Sequence, residues 1–180
     1  MKKTTGVLLF FMTVSIGCGD DDPLDAAWSK FRGRDYAGAH EAFSRLIPGE
    51  RQAYVGLGWT TLRQDSLDAA DEYFTVIAGD SLIDAYAAWT ALAWERGEGA
   101  ESIARARFVL NRNPSYVFRH DRSITYHDVL IHEGYGELNL GNYTRVAEIL
   151  ERFDVTVTDN NPDTFLAALE SLYATYGTGN

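Results

Sequence analysis

Cysteine is nearly missing from this chain, with one in 180 residues. A lone thiol excludes an intrachain disulfide framework and any cysteine-rich zinc module. Basic residues are also short, at 16 Lys plus Arg against 26 Asp plus Glu, for a formal charge of -10 and a pI near 4.7. Phosphate neutralisation needs clustered cations on one face, so a general nucleic-acid binder is excluded. Catalytic signatures are absent: there is no G-x-S-x-G elbow and no phosphate-cradling glycine loop followed by lysine. What is present is a hydrophobic fraction of 46% beside 23% charged residues, enough to bury a core. The length suits one domain with appendages.

Long apolar runs are lacking as well. The amino terminus carries Lys2 and Lys3, then an uncharged apolar stretch of ten over residues 7–16. That is about half of what a bilayer-spanning helix needs, so it reads as the core of an export signal. The only cysteine follows directly, in Ser15-Ile16-Gly17-Cys18. This resembles a bacterial lipoprotein signal, with Ser15 where an aliphatic residue is usual. The resemblance implies cleavage after residue 17 and lipid attachment at Cys18. Acyl chains at about 0.8 kcal/mol per buried CH₂ would then anchor the domain to a membrane. Gly19 stands where an Asp would retain such a protein at the inner membrane, so the resemblance favours the outer membrane, facing the periplasm. Residues 18–23 read as an acidic, solvated tether. Losing Lys2 and Lys3 takes the mature charge from -10 to -12.

The remainder repeats itself. Residues 51–77 contain Tyr54-x2-Leu57-Gly58-x2-Thr61 followed by Ala70-x3-Phe74. Small residues at the second-helix position recur as Ala39, Ala70, Ser102 and Val146, separated by 31, 32 and 44. The following apolar position reads Phe43, Phe74, Ala106 and Leu150. Glycine-bearing turns recur at Gly33-Arg34-Asp35, Gly97-Glu98-Gly99 and Gly141-Asn142. The pattern is similar to the tetratricopeptide repeat (TPR), in which glycine permits close approach of two helices and alanine fills their tightest contact. It implies an all-α, right-handed TPR-like helical solenoid of about four helix pairs over residues 24–153. The extra 12 residues before the fourth unit fall on 115–126, an insertion. Such loops sit on one face of a solenoid and often contact partners. Residues 154–161 read as an extended linker. Asn161 and Pro162 then suit the start of a capping helix over 162–176, with Phe165, Leu166, Leu169, Leu172, Tyr173 and Tyr176 on one face.

In the TPR family the first helix of each unit lines a groove. Carried over, its positions are Trp28, Phe31 and Arg32, then Gln52, Val55, Trp59, Leu62 and Arg63. The third and fourth units give Asp84, Ala87, Ala91, Trp94 and Glu95, and Asp128, Ile131, Tyr135, Leu138 and Asn139. The resemblance thus implies a protein-binding groove with Trp28, Trp59, Trp94 and Tyr135 as aromatic anchors and Arg32, Arg63 and Asn139 as polar contacts. Helical spacing alone equally allows these aromatics to be core.

Three histidines cluster at His120, His127 and His132. His127 and His132 are five apart and do not share a helical face, so the remaining metal option is His120, His127 and Asp128. Structural or surface roles suit these histidines better.

The expected function is a lipid-anchored, periplasm-facing scaffold that binds a protein or peptide partner in the cell envelope, with no catalytic residue and no cofactor. TPR-bearing outer-membrane lipoproteins include accessory subunits of barrel-assembly machinery and adaptors for cell-wall enzymes, which the chain resembles in architecture. The alternative is a small-molecule or glycan binder using the same tryptophans.

Overall fold

The structure is a computed structural model and describes residues 22–177. The export signal, Cys18 and most of the tether lie outside the described residues. Among the described residues nine α-helices follow one another: α1 (Pro23–Arg32), α2 (Tyr36–Ser44), α3 (Arg51–Leu62), α4 (Leu67–Val76), α5 (Ile83–Glu95), α6 (Gly99–Arg112), α7 (Tyr126–Asn139), α8 (Tyr143–Glu151) and α9 (Pro162–Tyr176). A short 3₁₀ turn, Ala78–Asp80, precedes α5. The described residues include no strand beyond one isolated antiparallel bridge between Val117 and Thr125.

Helix ends are set by local chemistry. Asp22 accepts from the Leu24 N–H at 3.0 Å, with Pro23 opening α1, and Asp35 accepts from the Gly38 N–H at 2.9 Å. Thr125 and Asp128 form a reciprocal capping box on α7. Asn161 accepts from the Asp163 N–H, with Pro162 in the first turn of α9.

Each turn within a pair has one residue in the left-handed region, two positions before the second helix: Arg34, Asp65, Gly97 and Gly141. Their separations of 31, 32 and 44 repeat the spacing of the small residues. The register is therefore visible in the backbone as well as in the side chains. In the first turn Arg34 takes this conformation and Gly33 does not, having φ of -76°. The glycine expected to supply it instead follows the last residue of α1, and the strained step passes to an arginine.

The helices form two layers. α1, α3, α5, α7 and α9 each pack on the next in that series, while α2, α4, α6 and α8 each sit between two of them. The expected TPR-like all-α solenoid of four helix pairs with a closing helix is what the structure shows. α9 closes it by taking the place a fifth first helix would occupy. Ala39, Ala70, Ser102 and Val146, with Phe43, Phe74, Ala106 and Leu150, are all fully buried.

Glycines at two α3 positions permit the tightest approaches. A Cβ on Gly58 would fall inside the Phe74 ring's contact distance, and one on Gly56 inside that of Phe43. Gly58→Ala is expected to destabilise the protein by about 1–3 kcal/mol, read as a lower urea midpoint at unchanged slope.

On the outer side, α6, α7 and α8 are joined by buried charge. Arg107 donates to Glu133 at 3.0 Å and also pairs with Glu137, and Arg145 reaches Glu133 at 3.2 Å. Glu133 is 0% exposed and Glu137 is buried. Asn142 donates a further bond to Glu137 at 2.6 Å.

Candidate functional site

The inner face is built by the first helices, and the insertion decides how much of it is open. Rather than projecting outward, residues 115–126 fold back across α1, α3 and α5. The strap is a small hairpin: the Phe118 N–H donates to the Ile124 carbonyl at 2.9 Å and the Tyr126 N–H to the Tyr116 carbonyl at 2.7 Å. Alternation puts Tyr116, Phe118 and His120 inward and Val117 and Arg119 outward.

Each inward residue finds a first helix. The Tyr116 hydroxyl donates to Asp84 on α5 at 2.9 Å. Phe118 stacks on Trp59 at 4.4 Å and meets Trp28 edge-on at 5.8 Å. His120 stacks flat on Trp28 at 3.7 Å, and Asp121 accepts from Arg63 on α3 at 3.1 Å. Trp59 is fixed from behind by donating its indole N–H to the Asp84 carbonyl at 3.0 Å.

Between the strap tip, α3, α5, α7 and α9 remains a cavity of about 610 Å³. Trp59, Leu62 and Arg63 come from α3, and Ala87, Ala91, Trp94 and Glu95 from α5. Asp128, Val129 and His132 come from α7, Tyr173 from α9, and Asp121, Ser123 and Ile124 from the strap. Arg34 and Asp65, both on intra-pair turns, complete one edge.

The structure therefore divides the residues carried over as groove positions. Trp59, Arg63 and Trp94 line the cavity. Trp28 does not: it is 1% exposed, enclosed by Phe31, Phe43, Phe118 and His120. Arg32 is spent on the strap, with Nη1 at 3.2 Å from His120 Nδ1. Tyr135 is buried against Trp94 and Tyr173, in the layer behind the cavity wall. Asn139 is exposed at the end of α7 and does not line the cavity. The strap is the reason for the first two differences, since it covers Trp28 and engages the exposed Arg32 through His120. Helical phase at the last turns of α7 is the reason for the others. His132, Tyr173, Arg34, Asp65 and the strap tip are cavity residues that were not read from sequence. The alternation Tyr116, Phe118, His120 was the available sign that the insertion packs on something.

The metal option is also corrected. Among the described residues no group of three His, Cys, Asp or Glu is placed to hold an ion. His120 is stacked on Trp28, His127 packs among Tyr126, Phe153 and Tyr176, and Asp128 accepts from the Thr125 N–H. The three are committed to separate contacts.

Two histidines are held neutral. Burial, then Arg119 and Arg32, lower His120 from 6.5 to about 4. The geometry gives a second reason: its ring nitrogens face Arg32 Nη1 at 3.2 Å and Arg119 Nε at 2.7 Å, so a protonated ring would set two donors against two donors. Burial likewise lowers His132 to about 4, against the opposing effect of Asp128. Both values lie below that of the unfolded chain, so the unfolded state takes up protons first and stability present at pH 7 is lost as pH falls from about 6.5 towards 4. Each histidine contributes at most about 1.4 kcal/mol per pH unit in that window. Asp84 and Glu95, both raised by burial, act in the opposite sense in the carboxylate range. The urea midpoint is expected to fall between pH 6.5 and 5, and His132→Phe, which keeps a ring against Trp94, should flatten that fall.

Comparison with known proteins agrees with the geometry. A tetratricopeptide repeat protein from Parabacteroides merdae, known from its crystal structure, superimposes with a TM-score of 0.57 at 18% identity. The match covers 86% of this chain. The fold is a TPR-type helical repeat. No family model and no curated protein matches the sequence. The chain spans 60% of the length of that TPR protein, and the likeness concerns the fold alone. Within the TPR-type architecture, the strap-covered half and the open half of the inner face are set by this chain's own side chains.

Proposed function

We propose that this chain is a protein-binding scaffold of the cell envelope, exported and lipid-anchored through Cys18, that engages its partner at the open half of its inner face. The observation that carries this reading is the cavity of about 610 Å³ left beside a strap that fills the rest of that face. Its volume and mixed aromatic and charged lining suit a partner's side chains. The lipid anchor rests on the export-signal pattern ending at Cys18, with Gly19 favouring the outer membrane. No described helix is long and apolar enough to cross a membrane.

The glycan alternative has less support. Sugar stacking uses a broad open indole face, and Phe118 and His132 already stack on one side of the two cavity tryptophans, leaving room for a narrower group. The Ser123 hydroxyl donates to Asp121, a carboxylate already paired with Arg63, so the contact reads as a turn bond and favours binding over catalysis.

The test uses the full-length gene expressed with its own leader. Ala91→Arg, which drives a long side chain into the cavity, should abolish co-purification of envelope partners while circular dichroism is unchanged. Cys18→Ser should abolish incorporation of a palmitate analogue and release the protein from membranes. Partner capture unchanged by Ala91→Arg contradicts the binding site, and membrane association unchanged by Cys18→Ser contradicts the anchor.

A further inference from the structure

Within that scaffold reading, we propose that the cavity receives a basic side chain, an arginine or lysine of a protein partner, seated between Trp94, Tyr173 and the carboxylates of Asp65 and Glu95. Four carboxylates line the cavity against two guanidinium groups, those of Arg34 and Arg63. Their states differ. Asp121 is matched by Arg63 at 3.1 Å, and Asp128 caps α7 through the Thr125 N–H at 2.7 Å. Asp65 and Glu95 form no ion pair among the described residues.

These two carboxylates come from neighbouring units, the α3–α4 turn and the last turn of α5, and are brought together at one edge. Glu95 is pushed up first by burial and then by the neighbouring Asp65 carboxylate. A cation arriving between them relieves both effects. Arg34, on the α1–α2 turn, and the two carboxylates are all exposed at the cavity rim, where a partner's side chain can reach them.

The aromatic wall supplies the second half of the recognition. Trp94 and Tyr173 sit at 5.4 Å with their rings tilted by 49°, presenting a corner of ring surface beside Glu95. A cation held over such rings while bonded to a carboxylate gains from both contacts. The chain uses the same chemistry elsewhere: Arg105 lies over the Trp89 ring at 4.0 Å, and Arg112 over Phe108 at 3.4 Å. Arg63 shows that the cavity already seats one guanidinium of the chain's own, against Asp121. The acidic pair offers the matching place to a second, supplied from outside.

The test titrates the mature chain with acetylated, amidated tripeptides Gly-X-Gly and reads tryptophan fluorescence. The X = Arg and X = Lys peptides should bind at least tenfold more tightly than X = Gln or X = Glu, with affinity falling as salt rises. Glu95→Gln and Asp65→Asn together should weaken the Arg peptide about tenfold at unchanged thermal midpoint; asparagine tolerates the left-handed backbone at position 65. Equal binding of all four peptides, or no effect of the double substitution, overturns the proposal. Spermidine binding more tightly than the Arg peptide would also overturn it, in favour of a free amine. Partner capture that is lost in Ala91→Arg but unchanged in the Glu95→Gln, Asp65→Asn chain would leave the scaffold reading standing and remove this one.

Discussion

Phe118→Ala is expected to cost about 3–5 kcal/mol of unfolding free energy, the largest loss for any single side chain outside the helices. Phe118 is 0% exposed and sits between three rings contributed by α1 and α3, stacked on Trp59 at 4.4 Å and edge-on to Trp28 and Phe31. No neighbouring side chain can collapse into the space, because those rings are themselves fixed by Phe43 and by the Trp59 bond to Asp84. Without this anchor the strap keeps the Tyr116 bond to Asp84, the His120 contacts and the Asp121 pair with Arg63. Ion pairs that solvent can reach contribute little, so the strap should loosen. Urea unfolding should report the loss, and hydrogen exchange should report faster exchange of the Phe118 and Tyr126 amides, which close the hairpin. A loss below about 1 kcal/mol with unchanged exchange would show that the strap is not held by this residue.

The second large effect is expected on the outer side. Arg107→Ala combined with Arg145→Ala should destabilise the protein by about 3–5 kcal/mol, because Glu133 and Glu137 would remain buried without a cation. The two arginines are 48% and 37% exposed at their side chains, so they can return to water, whereas Glu133 at 0% cannot. The asymmetry predicts the order of effects. Adding Glu133→Leu to the double variant should restore a substantial part of the loss, since a buried carboxylate without a partner costs more than an apolar group of similar size. Equilibrium denaturation of the parent chain, the double variant and the triple variant decides the matter. If Glu133→Leu makes the double variant worse, the network is contributing net stability beyond mutual compensation of its charges.

The repeat was legible in the sequence because each unit must bury the same small residue against its own first helix. Ala39, Ala70, Ser102 and Val146 are dictated by packing, and their spacing survives even where the flanking residues drift. The helix start at Asn161 was legible for a similar reason: an unpaired backbone donor needs a short acceptor side chain. The binding face was only partly legible. Trp59, Arg63 and Trp94 reach the cavity because the first helices face inward, but at equivalent positions Trp28 is covered by the strap and Arg32, though exposed, is taken up by His120, 88 residues further on. Periodicity describes what one helix presents and carries no information about a distant loop that lies over it. The same applies to Tyr173, which sequence places on an apolar stripe and the structure places at the cavity wall through α9 occupying the position of a fifth first helix.

The left-handed residue of each turn illustrates the point at smaller scale. Glycine marks it in the third and fourth units, at Gly97 and Gly141, and the first two units hold it with Arg34 and Asp65. A glycine-based reading finds the turn in the first unit one residue early and finds none in the second. The conformation is imposed there by the closing helix pair rather than by local preference.

The central claim is that the half of the inner face left open beside the strap is where this chain meets its partner. Site-specific photocrosslinking tests it most directly, with a benzophenone side chain placed at Ala91 in the cavity or at Glu72 on the exposed side of α4, in the native envelope. The account predicts a protein adduct from position 91 and from a probe at Ala87, the latter lost when Ala91→Arg is added, and no adduct from position 72. An adduct from position 72 with none from position 91 would contradict it.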